Sequence, residues 1–165
     1  MKKPANETPA LLIIDMVKDN FMDSRNLAIT PFARATIEPL NKLIDVFRGQ
    51  KWPIVFSTDA FHEDDLWLPK PRFSAFFNTG LANWLQERGV SLCAVGGIST
   101  HFCVLTTVLD AICHDFKSVL LEDCSAASSK QLHEQTLDNY RRNPLFPLLR
   151  VAKSTDLVSE FLGKF

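Results

Sequence analysis

No stretch of this 165-residue chain approaches the run of about 20 apolar residues that a helix needs to cross a bilayer. No membrane span is therefore expected, and the polar opening Met1-Lys2-Lys3-Pro4-Ala5-Asn6-Glu7 shows no apolar leader. An excess of positive charge is missing as well: 18 Lys and Arg stand against 19 Asp and Glu, scattered along the chain. That balance gives nucleic acid or anionic lipid nothing to bind. Cysteine is sparse, and Cys93, Cys103, Cys113 and Cys124 are not close-set like metal ligands; each falls in an apolar strand or helix pattern. Reduced thiols and a cytoplasmic setting are the expectation. Repeats, linkers and low-complexity segments are also absent, so residues 1–165 are expected to form one domain. Its 46% apolar content can fill a core without disulfides or metal.

What the chain does contain is an alternation of two periodicities. Apolar strand candidates recur at residues 10–14, 54–57, 92–95, 118–121 and 148–152, and helical spacing fills 35–48, 81–88, 100–114, 130–142 and 156–162. Runs such as Leu11-Leu12-Ile13-Ile14 and Val119-Leu120-Leu121 do not alternate with polar residues, as expected of parallel strands covered on both faces. The predicted fold class is α/β, a Rossmann-like three-layer α/β/α arrangement with helices on both sides of a parallel sheet. Residues 59–78 are the least regular, rich in Pro, Phe and charge, and long enough to be a functional loop.

In such sheets, sites form outside the carboxyl ends of the strands. Asp15 directly follows the first strand, Asp59 follows the second after Ser57-Thr58, and the third runs into Gly96-Gly97-Ile98-Ser99-Thr100-His101-Phe102-Cys103. The glycines permit a tight turn, Ser99 or Thr100 can cap the next helix, and Cys103 then lies in its first turn. Unpaired N–H groups and the positive end of the helix dipole favour a thiolate there, and the same groups can hold an oxyanion. Asp15 is the candidate base for the thiol proton, and Lys70, on the irregular segment, is a cation with a stem long enough to reach inward. Taken singly, each residue has a bland explanation as a packed thiol, a turn former or a solvated charge; only the constellation points to chemistry. Cys93, Cys113 and Cys124 have no such partners and are assigned none. Phe61, Trp67, Phe73, Phe76, Phe77 and Phe102 cluster around these segments, most of them expected in the core and some on a pocket wall or subunit interface.

Three segments together resemble the isochorismatase-like cysteine hydrolases, a family that includes nicotinamidases, N-carbamoylsarcosine amidases and isochorismatases. They are Leu11-Leu12-Ile13-Ile14-Asp15-Met16, Lys70-Pro71-Arg72-Phe73-Ser74-Ala75-Phe76, and Gly97-Ile98-Ser99-Thr100-His101-Phe102-Cys103-Val104 with Thr107 and Asp110-Ala111. Leu121-Glu122-Asp123-Cys124-Ser125-Ala126 and His133 extend the likeness over nearly the whole chain. The resemblance implies a central six-stranded parallel sheet and a catalytic triad of Asp15, Lys70 and Cys103. It further implies an oxyanion hole made by the backbone N–H groups of Ser99 and Cys103, and a non-proline cis peptide at Ile98–Ser99. The implied activity is hydrolysis of a C–N bond in a small amide or ureido metabolite, without a cofactor, by a homo-oligomer.

The chain also departs from the family pattern. Amidases of the family often carry glutamine two residues after the aspartate and an aromatic five residues after it; here Val17 stands at the first place and Phe21 lies six residues on. Nicotinamidases bind a metal through Asp-x-His and a later histidine, whereas this chain reads Asp59-Ala60-Phe61-His62 with no histidine between His62 and Lys70. No metal is expected, and nicotinamide loses the usual anchor for its ring nitrogen. Phe21, Asp59, His62 and Phe102 are the candidate pocket residues for a small-molecule substrate. Two alternatives stay open: an isochorismatase-type vinyl ether hydrolase, and a catalytically silent member of the fold that binds a small ligand or a protein. A redox-sensing Cys103 has no second cysteine obviously placed to resolve it.

Overall fold

The computed structural model describes residues 7–57 and 65–163. Six strands, β1 (Pro9–Ile14), β2 (Ile54–Phe56), β3 (Leu66–Trp67), β4 (Leu92–Ile98), β5 (Lys117–Ala126) and β6 (Leu149–Ala152), form one sheet in the order β3-β2-β1-β4-β5-β6. Every neighbouring pair runs parallel. Five helices accompany them: α1 (Thr30–Gly49), α2 (Leu81–Gln86), α3 (Leu105–Cys113), α4 (Lys130–Arg141) and α5 (Ser154–Leu162). Among the described residues no helix is long and apolar enough to cross a membrane.

The strands lack polar alternation because both faces of the sheet are covered. Ala10, Leu12 and Ile14 of β1 pack in one core with Leu81 and Leu85 of α2, Val108 and Ala111 of α3, and Leu137 of α4. Leu11 and Ile13 turn to the other side, against Leu40, Leu43 and Phe47 of α1 and Leu157 and Phe161 of α5. Each of these leucines and isoleucines is almost wholly buried, which contributes roughly 1.5–3 kcal/mol per side chain. The layers are therefore α/β/α, as expected.

The element bounds differ most from expectation in four places. β3 lies inside the segment expected to be irregular; it is only two residues long and too short for any periodicity to reveal. β5 continues through Ala126 because a bulge accommodates Glu122 and Asp123: Val95 pairs with Leu120, yet Gly97 pairs with Ser125. α1 begins at Thr30, with Pro31 in its first turn, where a missing N–H costs nothing. The helix expected over 100–114 is two pieces, a π-type turn at Thr100–Val104 followed by α3.

Strand order reverses direction between β1 and β4, and crevices at such a switch point are where ligands sit in open α/β sheets. Two glycines stand at this point. A Cβ on Gly97, whose φ is +114°, would stand 2.1 Å from the Ile14 carbonyl oxygen, and one on Gly96 would stand 2.8 Å from the Cys124 carbonyl oxygen. Only glycine lets β1, β4 and β5 approach this closely where the chain leaves the sheet.

Candidate active site

Asp15 leaves β1 in the left-handed region, at φ 54°, a conformation that aspartate tolerates better than most residues. Two contacts hold it there. Its N–H donates to the Ser57 hydroxyl at 3.0 Å and its carbonyl accepts from the Asn20 side-chain amide at 2.8 Å. Ser57 is itself tied to β1 through its N–H and the Ile13 carbonyl at 2.9 Å, and the Asn20 carbonyl accepts from the Thr30 hydroxyl at the start of α1 at 2.8 Å. The backbone at Asp15 is thus clamped from both sides, which fixes where its carboxylate can stand.

The Lys70 ammonium pairs with Asp15 Oδ2 at 2.8 Å and also donates to the Arg72 carbonyl at 3.2 Å. Its side chain is 9% exposed, against 26% for Asp15, so the pair is partly withdrawn from water and held more firmly than a surface ion pair. The Cys103 thiol is half-buried and lies close enough to Asp15 and Lys70 for both to act on its ionisation. The three residues expected to form a triad therefore meet at the carboxyl ends of β1 and β4.

The expected thiolate is not the resting state. Burial pushes the Cys103 thiol up to about 11, the hydrogen bond and negative charge of Asp15 push the same way, and Lys70 only partly opposes them. At neutral pH, Cys103 carries its proton. In place of the expected capped α-helix, Ser99 precedes a π-type turn and its side chain makes no cap hydrogen bond. The Ser99 carbonyl instead accepts from the N–H groups of Phe102 at 3.0 Å and Val104 at 3.3 Å, which closes the wider turn. The peptide bond Ile98–Ser99 is cis.

Side chains brace this turn from several directions. The Ser99 hydroxyl pairs with His101 Nδ1 at 3.0 Å, and the Thr100 hydroxyl with His133 Nδ1 at 2.8 Å. Thr107 of α3 donates to the Cys103 carbonyl at 2.7 Å and accepts the Ala75 N–H at 3.1 Å. The Ser74 hydroxyl donates to Asp110 Oδ2 at 2.5 Å and accepts the Phe76 N–H at 3.0 Å. Thus α3, which follows the cysteine, also anchors the segment that delivers Lys70. Thr107 and Asp110 are visible in the sequence as polar residues on an otherwise apolar helix, and Ser57 as a hydroxyl at a strand end. Nothing in the local sequence marks Asn20.

Phe102 stacks on Phe73 with ring centroids 5.9 Å apart, and His101 lies 4.1 Å from Phe102. Of the aromatics expected mostly in the core, only Phe76 is buried; Trp67, Phe73, Phe77 and Phe102 are each about half exposed. That expectation is corrected. Phe61, Asp59 and His62 lie outside the described residues. Phe21 packs with Ala33, Ile98 and Ala126 and lines a cavity of about 450 Å³ on the α1 side, with Ile13, Phe56 and Arg48. Among the described residues, no group of three or more His, Cys, Asp or Glu could hold a metal ion. Cys93, Cys113 and Cys124 are free, Cys93 and Cys124 buried and Cys113 exposed.

Known proteins resemble this chain to different extents. A probable inactive nicotinamidase of Arabidopsis thaliana is 40% identical over 124 residues, which is 74% of this chain and 62% of that protein. The ureidoacrylate amidohydrolase RutB of Klebsiella pneumoniae is 37% identical over 73 residues, 44% of this chain and 31% of that protein. The match to each thus spans less than two thirds of the relative's length. The crystal structure of an isochorismatase-like hydrolase from Alkaliphilus metalliredigens superposes with a TM-score of 0.79, covering 96% of this chain and 98% of that one at 22% identity, a likeness of fold. The Isochorismatase domain family model matches residues 60–152, a span that takes in the turn at Cys103 and ends with β6. More than half of the sequence lies in that match, and on this ground the chain belongs to the isochorismatase family.

Proposed function

We propose that this protein is a cysteine hydrolase that cleaves a C–N bond of a small amide or ureido metabolite, with Cys103 as nucleophile, Asp15 as base and Lys70 as the cation that orients them. The observation that carries the proposal is the pairing of Lys70 with Asp15 at 2.8 Å, both close enough to the Cys103 thiol to act on its ionisation. With burial and Asp15 both raising the thiol, to about 11, its neutral form predominates at pH 7. Attack must then be coupled to proton transfer. As the Cys103 Sγ bonds to the carbonyl carbon, its proton passes to Asp15, and the carbonyl oxygen becomes an oxyanion held by the Ser99 and Cys103 N–H groups. Asp15 returns that proton to the nitrogen as the C–N bond breaks, leaving a thioester and a free amine or ammonia. Water then attacks the thioester, its proton moving to Asp15 and onward to the departing sulfur.

Phe102 and Phe73, stacked beside Cys103, are the proposed apolar wall of the substrate pocket, and the chemistry requires no cofactor. The relative described as a probable inactive nicotinamidase, together with the broken Asp-x-His pattern, favours a substrate other than nicotinamide. The amidohydrolase relative favours ureido or acyclic amides. We take the protein to work as one domain, in the cytoplasm, where its four free thiols stay reduced. We further take it to be a homo-oligomer, for which the exposed rings of Trp67, Phe73, Phe77 and Phe102 are candidate contacts.

The test is a screen of small amides, carbamoyl amino acids and ureido acids for ammonia or amine release, with pyruvate release from a vinyl ether as the competing outcome. Turnover that disappears in Cys103→Ala supports the proposal. Turnover of a proven substrate that survives the substitution overturns it, and exclusive pyruvate release replaces the amide reading with the vinyl ether one. Binding without any turnover assigns the chain to the silent members of the fold.

A further inference from the structure

We propose that His133, which stands outside the triad, is a positioning residue for the oxyanion hole, holding the turn between Ser99 and Cys103 in place through the Thr100 hydroxyl. This rests on the reading of the Ser99 and Cys103 N–H groups as oxyanion donors. Thr100 sits between the two donors in sequence and is wholly buried. Its hydroxyl reaches His133 Nδ1 at 2.8 Å across 33 residues of sequence, linking the turn to α4. The Ser99 hydroxyl, in contrast, pairs with His101 only two residues on, a contact that moves with the turn and anchors it to nothing else.

The anchor at the far end is firm. α4 starts from Ser129, whose hydroxyl accepts the Leu132 N–H at 3.2 Å and whose carbonyl accepts the His133 N–H at 3.1 Å. The His133 ring also lies against the Glu122 backbone in the β5 bulge. Three charged groups face it: Glu134 on its own helix, Glu122 on β5, and Arg141, which pairs with Glu122 at 3.1 Å and Glu134 at 3.3 Å. Burial outweighs these neighbours and holds the imidazole below its ordinary value, so it is neutral at pH 7. The bond to Thr100 survives in either tautomer, because a hydroxyl both donates and accepts. Oxyanion donors act only when they stand about 3 Å from the developing charge, so a turn that loses its tether loses rate without losing its nucleophile.

Two reactions of Cys103 separate these roles. p-Nitrophenyl acetate acylates it through a tetrahedral oxyanion: the Sγ–C bond forms, nitrophenolate leaves and the thiol proton passes to Asp15. Iodoacetamide alkylates the same sulfur by displacing iodide from a saturated carbon, with no oxyanion. We expect His133→Leu and the near-isosteric Thr100→Val each to slow acylation about tenfold and to leave alkylation within about twofold. The double variant should be no slower than either single one. His133→Asn, which puts an amide near the place of Nδ1, should restore most of the acylation rate. Equal slowing of both reactions, or acylation at the wild-type rate in Thr100→Val, overturns the proposal. If wild-type nitrophenolate release is unchanged in Cys103→Ala, the oxyanion-hole reading itself fails, and the role of His133 falls with it.

Discussion

Replacing the candidate base should make the nucleophile easier to ionise. In the folded protein the Cys103 thiol is pushed up to about 11 by burial, then by the hydrogen bond and charge of Asp15, while Lys70 pulls it down. Asp15→Asn keeps the shape of the side chain and removes its charge, so burial and Lys70 remain and the largest electrostatic obstacle disappears. Two charges about 4 Å apart at an effective dielectric constant of 20 interact by about 4 kcal/mol. Lys70 at 2.8 Å already offsets much of the Asp15 field, and the carboxylate is 26% exposed. The remaining effect is about 1–2 pKa units, at 1.36 kcal/mol per unit. The thiol should fall toward 9–10, and its thiolate fraction at pH 8 should rise about 10- to 100-fold.

Lys70→Met should act in the opposite direction, because it removes the one group that lowers the thiol. The assay is the rate of iodoacetamide alkylation at Cys103 between pH 7 and about 10.5, resolved by peptide mass spectrometry, in the wild type and both variants. Asp15→Asn should therefore gain titratable thiolate and lose turnover at once. A higher thiol value in Asp15→Asn refutes this electrostatic account. A wild-type thiol that titrates below pH 8 refutes it too, and restores the helix-dipole thiolate expected from the sequence.

Gly97→Ala should destabilise the protein by about 3 kcal/mol or more, since its Cβ would meet the Ile14 carbonyl at 2.1 Å and φ is +114°; urea midpoints measure it, and a midpoint equal to that of Gly49→Ala, which meets nothing within 4 Å, contradicts it. Thr107→Val should cost about 1–3 kcal/mol by leaving the buried Ala75 N–H without an acceptor, read as a lower thermal midpoint. Burial pushes the Cys93 thiol strongly up, so the fold is indifferent to this group below the ordinary thiol value of about 8.5, and stability falls above it as the unfolded chain alone gives up the proton, by at most about 1.4 kcal/mol per pH unit. Cys93→Ala should make urea stability between pH 9 and 10.5 fall less steeply with pH, whatever it does to the absolute value, and an unchanged slope counts against this thiol as the cause.

Legibility in the sequence followed the range of the interactions. β1 and the first half of β5 could be read directly, because Leu11 to Ile14 and Val119 to Leu121 are buried on two faces and need no polar alternation. The second half of β5 could not, because Glu122 and Asp123 owe their places to distant partners: Asp123 accepts the Ser154 N–H and hydroxyl at 2.8 and 2.6 Å, and Glu122 pairs with Arg141. β3 was hidden because two residues of ladder leave no pattern. Asp15, Lys70 and Cys103 stand out by chain order and family likeness, whereas the protonation state of Cys103 does not. That state is set by Asp15 and by burial, neither of which local sequence reports. Ser57 is legible as a hydroxyl at a strand end, but its partner Asp15, 42 residues away, is not, and Asn20 carries no local mark of its bond to the Asp15 carbonyl.

The geometry places every part of the site in the frame of one unit, β4 and α3. Asp15 comes from β1, but its neighbour Ile14 lies against Gly97 of β4, at a separation that admits no side chain. Lys70 comes from the segment after β3, but that segment is fastened to α3 through Ala75–Thr107 and Ser74–Asp110. Cys103 and the turn before it join β4 to α3 directly, and Thr107 holds the Cys103 carbonyl. The candidate base, cation and nucleophile, spread over 88 residues of sequence, are therefore aligned by contacts to one strand and one helix. Pocket walls can vary around such a frame without disturbing the reacting groups. Of the residues at the site mouth, Phe73 and Phe102 stack on each other and stand half exposed beyond the tethers. Substitutions there should alter which substrate is accepted and leave the ionisation of Cys103 where Asp15, Lys70 and burial set it.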